Sequence, residues 1–128
     1  RFFITVEDAV KLVLFAVKDS IGGEIYVKKI PSVKITELAK AIAPKAEQQI
    51  IGIRPGEKIH EQMIAKEEAS YTYEYKDYYK ILPYINKWYL DRKRIKKGKK
   101  VSEDFNYSSN NNKSWISGKD LRTWLNKN

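Results

Sequence analysis

Apolar positions recur through the first part of the chain with a period close to that of an α-helix. Val6, Ala9, Val10, Val13, Ala16 and Val17 fall on one stripe, and Thr5 followed by Asp8 makes a capping-box-like start with an acidic residue in place of the usual Glu or Gln. The spacing predicts a helix over residues 6–19, ended by Gly22 and Gly23. Alternation then takes over from Glu24 to Lys28, a short strand that Pro31 breaks. Thr36 and Glu37 open a second helix, which runs to Ala43 and stops at Pro44. Ile50, Ile51 and Ile53 predict a buried strand.

Further along, residues 57–69 are charged, with Ile59, Met63 and Ile64 as the apolar positions, and predict one or two short helices. Tyr71, Tyr73 and Tyr75 alternate with polar residues, which places all three on one face of a strand. Tyr78, Tyr79, Ile81 and Leu82 supply its partner across a Lys76-Asp77 turn. Residues 84–118, rich in Lys, Asn, Ser and Gly, are expected to be mostly irregular. Residues 119–127, with Leu121, Trp124 and Leu125, predict a terminal helix. The chain therefore divides into an α/β part (1–70), a β-hairpin (71–83), a basic and Asn-rich segment (84–118) and a helix (119–127).

Composition narrows the classes. A length of 128 residues suits one domain, and no apolar run approaches the ~18–20 residues that span a bilayer. The chain has no cysteine and one histidine, so neither a disulfide framework nor a zinc site is expected, and the reading is of no metal. No charged-then-apolar leader opens it, and a first residue Arg is what a processed or truncated product would show. The net charge of +9 is concentrated, since seven of the nine residues from Arg92 to Lys100 are Arg or Lys. A positive field attracts phosphate-bearing partners. With the tyrosine ladder it mimics an RNA-binding surface, but the two lie about twenty residues apart with no RNA-binding motif between them. A hairpin face packed on a neighbouring subunit or domain, beside a solvated basic loop, is the reading preferred.

The chemistry is concentrated at residues 52–61, Gly-Ile-Arg-Pro-Gly-Glu-Lys-Ile-His-Glu. Pro55 sets φ and Gly56 permits the positive φ of a type II turn, so the backbone is fixed where the Arg54 guanidinium emerges. Such a planar, permanent charge is suited to phosphate. His60 lacks a recognisable carboxylate and nucleophile set and is read as structural, and Glu57 and Glu61 as a solvated helix face.

Together with this decapeptide, Arg1-Phe2-Phe3-Ile4-Thr5-Val6-Glu7-Asp8-Ala9-Val10, Gly22-Gly23-Glu24-Ile25-Tyr26-Val27, Ile30-Pro31-Ser32-Val33-Lys34-Ile35 and Asp104-Phe105-Asn106-Tyr107-Ser108-Ser109-Asn110-Asn111-Asn112 resemble extended short-chain dehydrogenase/reductases acting on nucleotide sugars. Within these, the inverting UDP-N-acetylglucosamine 4,6-dehydratases are the nearest in pattern, and the resemblance covers their C-terminal part alone. It implies an α/β fold made of short helices, small strands and a β-hairpin, with the Rossmann half missing. In the family the residue matching Arg54 binds the UDP diphosphate, that matching Arg1 lies on the substrate side, and an Asn best aligned with Asn112, or with Asn111, contacts substrate. The implied cofactor is NADP, bound by the missing half. The family's Tyr-x-x-x-Lys proton shuttle is expected there too, so no catalytic or cofactor-binding residue is expected in this chain. Also implied are UDP-N-acetylglucosamine as partner, a cytoplasmic homo-oligomer when full length, and neither nucleic acid nor membrane. A capsule-type UDP-N-acetylglucosamine 4,6-dehydratase/5-epimerase is the alternative, and a freestanding basic RNA- or protein-binding module the rival from another class.

Overall fold

Acidic Glu7 and Asp8 in the first turn and Lys18 in the last complement the dipole of α1 (Val6–Asp19), and Glu7 pairs with Lys11 one turn on. The structure, a computed structural model, describes residues 1–125. After α1 come β1 (Ile25–Lys28), α2 (Ile35–Ile42), β2 (Gln62–Ile64), a 3-10 segment (Lys66–Tyr71), β3 (Thr72–Glu74), β4 (Tyr78–Ile81), a second 3-10 segment (Ile85–Leu90), α3 (Arg92–Ile95), β5 (Lys99–Lys100), β6 (Tyr107–Ser108) and α4 (Gly118–Leu125). β2 and β6 form a two-stranded ladder. The predicted terminal helix thus starts one residue early, and its last two predicted positions lie outside the described residues.

Two compact units interleave along the chain. One comprises Arg1–Thr5, Ile30–Glu61 and the residues from Ser108 onward; the other comprises Val6–Lys29 and Gln62–Tyr107.

The second unit is built on an antiparallel sheet in the order β1-β4-β3-β5, and the predicted hairpin is its β3–β4 pair. Tyr26 faces Lys80 across the β1–β4 ladder, and Val27 faces Tyr79. The expected packing of the tyrosine ladder on a neighbouring domain is replaced by packing inside this unit. Tyr73 donates its hydroxyl to the Tyr89 carbonyl at 2.9 Å, and Tyr75 donates to the Ile95 carbonyl at 2.6 Å. The residues from 85 to 100, expected to be irregular, fold onto that face as the second 3-10 segment, α3 and β5.

The basic run is not a solvated loop throughout. Arg94 is buried, pairs with the Glu24 carboxylate at 2.5 Å, donates to the Gly22 carbonyl at 2.6 Å, and lies 4.1 Å from the Trp88 ring centre. Lys96 pairs with Asp19. Gly98 is there because of a close approach: a Cβ at this position would meet the Tyr75 ring and hydroxyl at 2.5 Å. Gly98→Ala is expected to displace Tyr75 from its stack on Tyr78 and its bond to Ile95, lowering stability by about 1–3 kcal/mol. A thermal melt of the full-length protein measures it.

In the first unit three short extended stretches meet at Ser32, which is fully buried. Ser32 bridges Phe2 on one side and Trp115 on the other, and its N–H and C=O bond Ser114 and Ile116 at 2.9 Å each. α2 packs with α4, and Leu121 on α4 is fully buried. The strand predicted at Ile50–Ile53 does not form: Ile50 and Ile51 are 92% and 72% exposed, the run pairs in no ladder, and Gly52 within it has φ +82°. Strand propensity expresses a fit to a half-buried surface, and these described residues offer that run none. Nor do residues 57–61 form a helix; they pass through a bend at Ile59 and His60 into β2.

Candidate functional site

The turn read from Arg54-Pro55-Gly56 is present. Gly56 has φ +83°, the Glu57 N–H bonds the Arg54 carbonyl at 3.0 Å, and the Glu57 carboxylate accepts the Arg54 N–H at 3.0 Å. The turn therefore consumes Arg54's backbone groups and leaves its exposed guanidinium without a hydrogen bond or ion pair among the described residues. Glu57, expected on a solvated helix face, closes this turn instead.

The other end of the decapeptide is anchored. Glu61 takes the Arg1 guanidinium into an ion pair, and its backbone exchanges hydrogen bonds with Ser109, donating to the hydroxyl at 3.0 Å and accepting from the N–H at 2.8 Å. Arg1 is fixed further by its backbone nitrogen, which donates to the Val33 carbonyl at 2.8 Å, while the Val33 N–H returns a bond to the Arg1 carbonyl at 2.8 Å.

Each asparagine of the triplet has a distinct task. Asn110 Oδ1 accepts the Ser108 hydroxyl at 2.5 Å, and Asn111 Oδ1 accepts the Ser108 N–H at 3.0 Å, which closes the loop on itself. Asn112 spans the unit: its amide nitrogen donates to the Ile30 carbonyl at 2.7 Å and the Ser32 hydroxyl at 3.0 Å, and its Oδ1 accepts the Ser114 N–H at 3.3 Å. Both amide hydrogens are spent, and one acceptor lone pair is left. Trp115 clamps the loop by donating its indole N–H to the Asn112 carbonyl at 2.7 Å.

Arg1, Asn111 and Asn112 are thus brought together around the Pro31-Ser32-Val33 stretch, with Glu61 and Ser109 joining them. The Arg54 side chain makes no hydrogen bond or ion pair with that cluster among the described residues. Ser32 and Glu61, the two residues that organise the cluster, carry no signal of that role in the sequence; a serine in an extended stretch and a glutamate in a charged one are unremarkable until their partners, some 50–80 residues away, are known.

The chain does contain one Tyr-x-x-x-Lys spacing, Tyr89 to Lys93, against the expectation that this pair would lie wholly upstream. Tyr89 lies in the second 3-10 segment and Lys93 in α3, with Asp91 capping that helix between them at 2.9 Å from the Lys93 N–H. The two side chains are not on successive turns of one helix, and the Tyr89 ring packs edge-on against Tyr71, centroids 5.1 Å apart. That is a packing role. The groove between α2 and α4, about 430 Å³ and lined by Lys40, Pro44, Ala46, Gln48 and Arg122, holds none of the expected site residues. Among the described residues no three His, Cys, Asp or Glu side chains cluster as metal ligands.

Comparison with known proteins agrees with this picture. The chain is 46% identical over 133 aligned positions to the UDP-N-acetylglucosamine 4,6-dehydratase (inverting) of Campylobacter jejuni subsp. jejuni serotype O:2, covering 98% of this chain and 39% of that relative. It is 39% identical over 85 positions to a UDP-glucose 4-epimerase of Rickettsia massiliae, covering 63% of this chain and 25% of that one. In fold it superposes on the crystal structure of Pen from Bacillus thuringiensis with a TM-score of 0.79 at 24% identity, over the whole chain and 37% of that protein. The chain accordingly spans about two fifths of the length of the dehydratase it matches, and is a short piece of a longer protein. Residues 1–83 match the family model described as polysaccharide biosynthesis protein, and the chain belongs to that family.

Proposed function

We propose that the chain is the nucleotide-sugar-binding part of an NADP-dependent UDP-N-acetylglucosamine 4,6-dehydratase that inverts C5 and opens the synthesis of pseudaminic acid or a related surface glycan. The observation that carries this reading is Arg54. Its planar cation is held on a fixed turn and left without a partner among the described residues, in a chain 46% identical to a dehydratase of that name. A diphosphate accepts two parallel charge-assisted hydrogen bonds from such a group. Arg1 keeps donors beyond the one given to Glu61, and Asn112 keeps one acceptor lone pair, which suits them to the sugar side; Asn111 contributes by holding the loop.

These residues do not fit a dinucleotide. A pyrophosphate cradle needs a strand, a glycine-rich turn and then a helix N-terminus, whereas Gly22 and Gly23 stand between α1 and β1, in the order helix then strand. NADP is therefore assigned to the upstream half, and this chain alone is read as inactive. Its part is to hold substrate in place, and fixed geometry supplies much of the rate when a bound cofactor carries the redox chemistry. A cytoplasmic homo-oligomer is the proposed setting of the full-length enzyme. Among the described residues no helix is long and apolar enough to cross a membrane.

Both named relatives carry UDP-sugars in their names, and they differ in outcome. Proton NMR of full-length protein incubated with UDP-N-acetylglucosamine distinguishes them. The expected product is a 6-deoxy-4-keto sugar with C5 inverted. A C4 epimer formed without loss of water would replace the dehydratase reading by the epimerase one, and a 4-keto product with C5 retained would overturn inversion.

A further inference from the structure

The segment from Tyr84 to Lys100, all of it in one unit, holds more positive charge than the fold consumes. Of its eight cations, Arg94 is buried against Glu24 and Lys96 pairs with Asp19. Lys87, Arg92, Lys93, Lys97, Lys99 and Lys100 are exposed and make no ion pair among the described residues. The carboxylates near them are mostly spent. Asp91, the one acidic residue of the segment, caps α3 and lies 3.6 Å from Arg94 Nε, while Glu74, opposite Lys99 in the β3–β5 ladder, pairs with Lys29 at 2.7 Å. Beyond the segment Asp104 pairs with Lys66, which leaves the exposed Glu103. Apolar side chains stand open beside the cations: Tyr84, Ile85 and Leu90 are 70%, 64% and 56% exposed. Between them the chain turns through Asn86 and Lys87, both at positive φ (51° and 55°), and Trp88 returns to Arg94. Lysine rarely takes that conformation, and backbone strain of this kind clusters at functional sites.

We propose that residues 84–100 form a docking surface for an anionic lipid headgroup layer, on which the full-length protein rests through this segment. A stable peripheral contact takes two signals, a polybasic patch and apolar side chains that enter the headgroup boundary, and this segment carries both. Tyrosine suits that boundary, with an apolar ring and a polar tip. Nucleic acid fits less well, because base stacking takes open ring faces. Tyr84 and Tyr89 lie parallel at 6.1 Å and Tyr71 meets them edge-on at 5.4 and 5.1 Å, so these rings face one another, and Ile85 and Leu90 offer a base nothing to stack on. A protein partner also fits less well. Five of the six unpaired cations are lysines, which are depleted in protein interfaces and lack the planar fork of arginine. A lipid surface asks for neither fork nor pocket, only for positive charge close to it. The resemblance implies no membrane contact; the six unspent cations beside open aliphatic side chains are the ground for this one. The segment lies outside residues 1–83, the part that matches the family, and the proposal does not depend on which reaction the full-length protein catalyses.

The test sediments full-length protein with phosphatidylcholine vesicles, with and without phosphatidylglycerol, at low and at physiological ionic strength. Binding is expected to the vesicles that contain phosphatidylglycerol alone, and to weaken as salt shortens the Debye length. Changing Lys97, Lys99 and Lys100 together to Gln is expected to lower the partition about a hundredfold, about fivefold for the ~1 kcal/mol that each charge contributes near an anionic surface. The same three changed to Arg should keep it within about twofold, since the charge is retained. Ile85→Ser with Leu90→Ser is expected to lower it at least about tenfold through lost apolar burial. A circular-dichroism melt checks each fold. Protein that stays in solution with phosphatidylglycerol vesicles at low salt, or binding that the three Gln changes leave intact, would overturn the proposal. Binding indifferent to Ile85→Ser with Leu90→Ser would reduce the segment to a general polyanion surface and overturn the lipid assignment. Tighter binding to a short single-stranded RNA than to the vesicles would overturn it in favour of nucleic acid.

Discussion

Replacing Asp19 by Ala will cost about 3–5 kcal/mol of stability, the penalty for leaving a buried charge without its partner. The stranded charge is Lys80, 1% exposed, whose ammonium reaches Asp19 Oδ2 at 2.5 Å and the Arg94 carbonyl at 3.2 Å, and lies 5.0 Å from the Tyr26 ring centre. Asp19 also holds Lys96 and accepts the Tyr26 hydroxyl at 2.8 Å, so one carboxylate satisfies three donors. Replacing Lys80 by Met in the same protein should recover most of the loss, since it removes the unpaired charge and keeps the volume. Chemical denaturation of the single and double variants measures both. If Asp19→Ala alone moved stability by less than 1 kcal/mol on the order-of-magnitude scale of surface pairs, the network would be no more than decoration.

The same network sets an acid limit. Burial alone would raise the pKa of Asp19, but hydrogen bonds from Lys80, Lys96 and Tyr26 overrule it and bring the carboxyl from 3.8 to about 2. Glu24 behaves alike: burial opposes ionisation, while the Ser20 hydroxyl and the N–H groups of Gly22, Glu24 and Ile21 bring it from 4.5 to about 2. Both pKa values are lower folded than unfolded, so their stabilisation is fully present above the unfolded values and is lost as pH falls toward about 2. Each contributes roughly 2–3 kcal/mol.

How much of this was legible depended on how far apart the partners lie. The helices starting near Val6 and Ile35, the strand near Ile25, the Tyr73–Tyr79 hairpin and the Arg54 turn each rest on neighbours within a few residues, and their predicted bounds agree with the structure to within one or two residues. Lys80 with Asp19 and Arg94 with Glu24 are separated by 61 and 70 positions, and a lysine in a strand or an arginine in a basic run looks solvated until the partner is placed. Arg1 with Glu61 escaped for the same reason. The valine stripe failed differently, since Val6, Val10, Val13 and Val17 stay exposed while Phe15 packs on Tyr26 and Tyr78: periodicity locates an apolar face, but it cannot say which of two apolar faces meets this chain's own core. Ile50–Ile53 is the corresponding case in a strand, a correct pattern without a surface in this chain to complete it.

On the proposed function, Arg54→Lys in the full-length protein will mainly raise KM for UDP-N-acetylglucosamine and leave kcat less affected. The diphosphate is not the reacting centre, so its contact is made in ground and transition states alike, and uniform binding lost in this way appears in KM. An ammonium is a point charge and cannot reproduce the second parallel bond of a guanidinium fork. Losing one charge-assisted bond costs ~1.5–3 kcal/mol, or roughly ten- to hundredfold in kcat/KM. Stability should hardly change, because the turn is closed by Arg54's backbone with Glu57 and the side chain has no partner among the described residues to lose. His60 is the internal control. It is exposed on the bend between that turn and Glu61, so His60→Gln should leave both constants within about twofold if it serves structure alone. A folded Arg54→Lys enzyme with unchanged KM, beside a His60→Gln enzyme with no turnover, would transfer the functional role in this decapeptide from the arginine to the histidine.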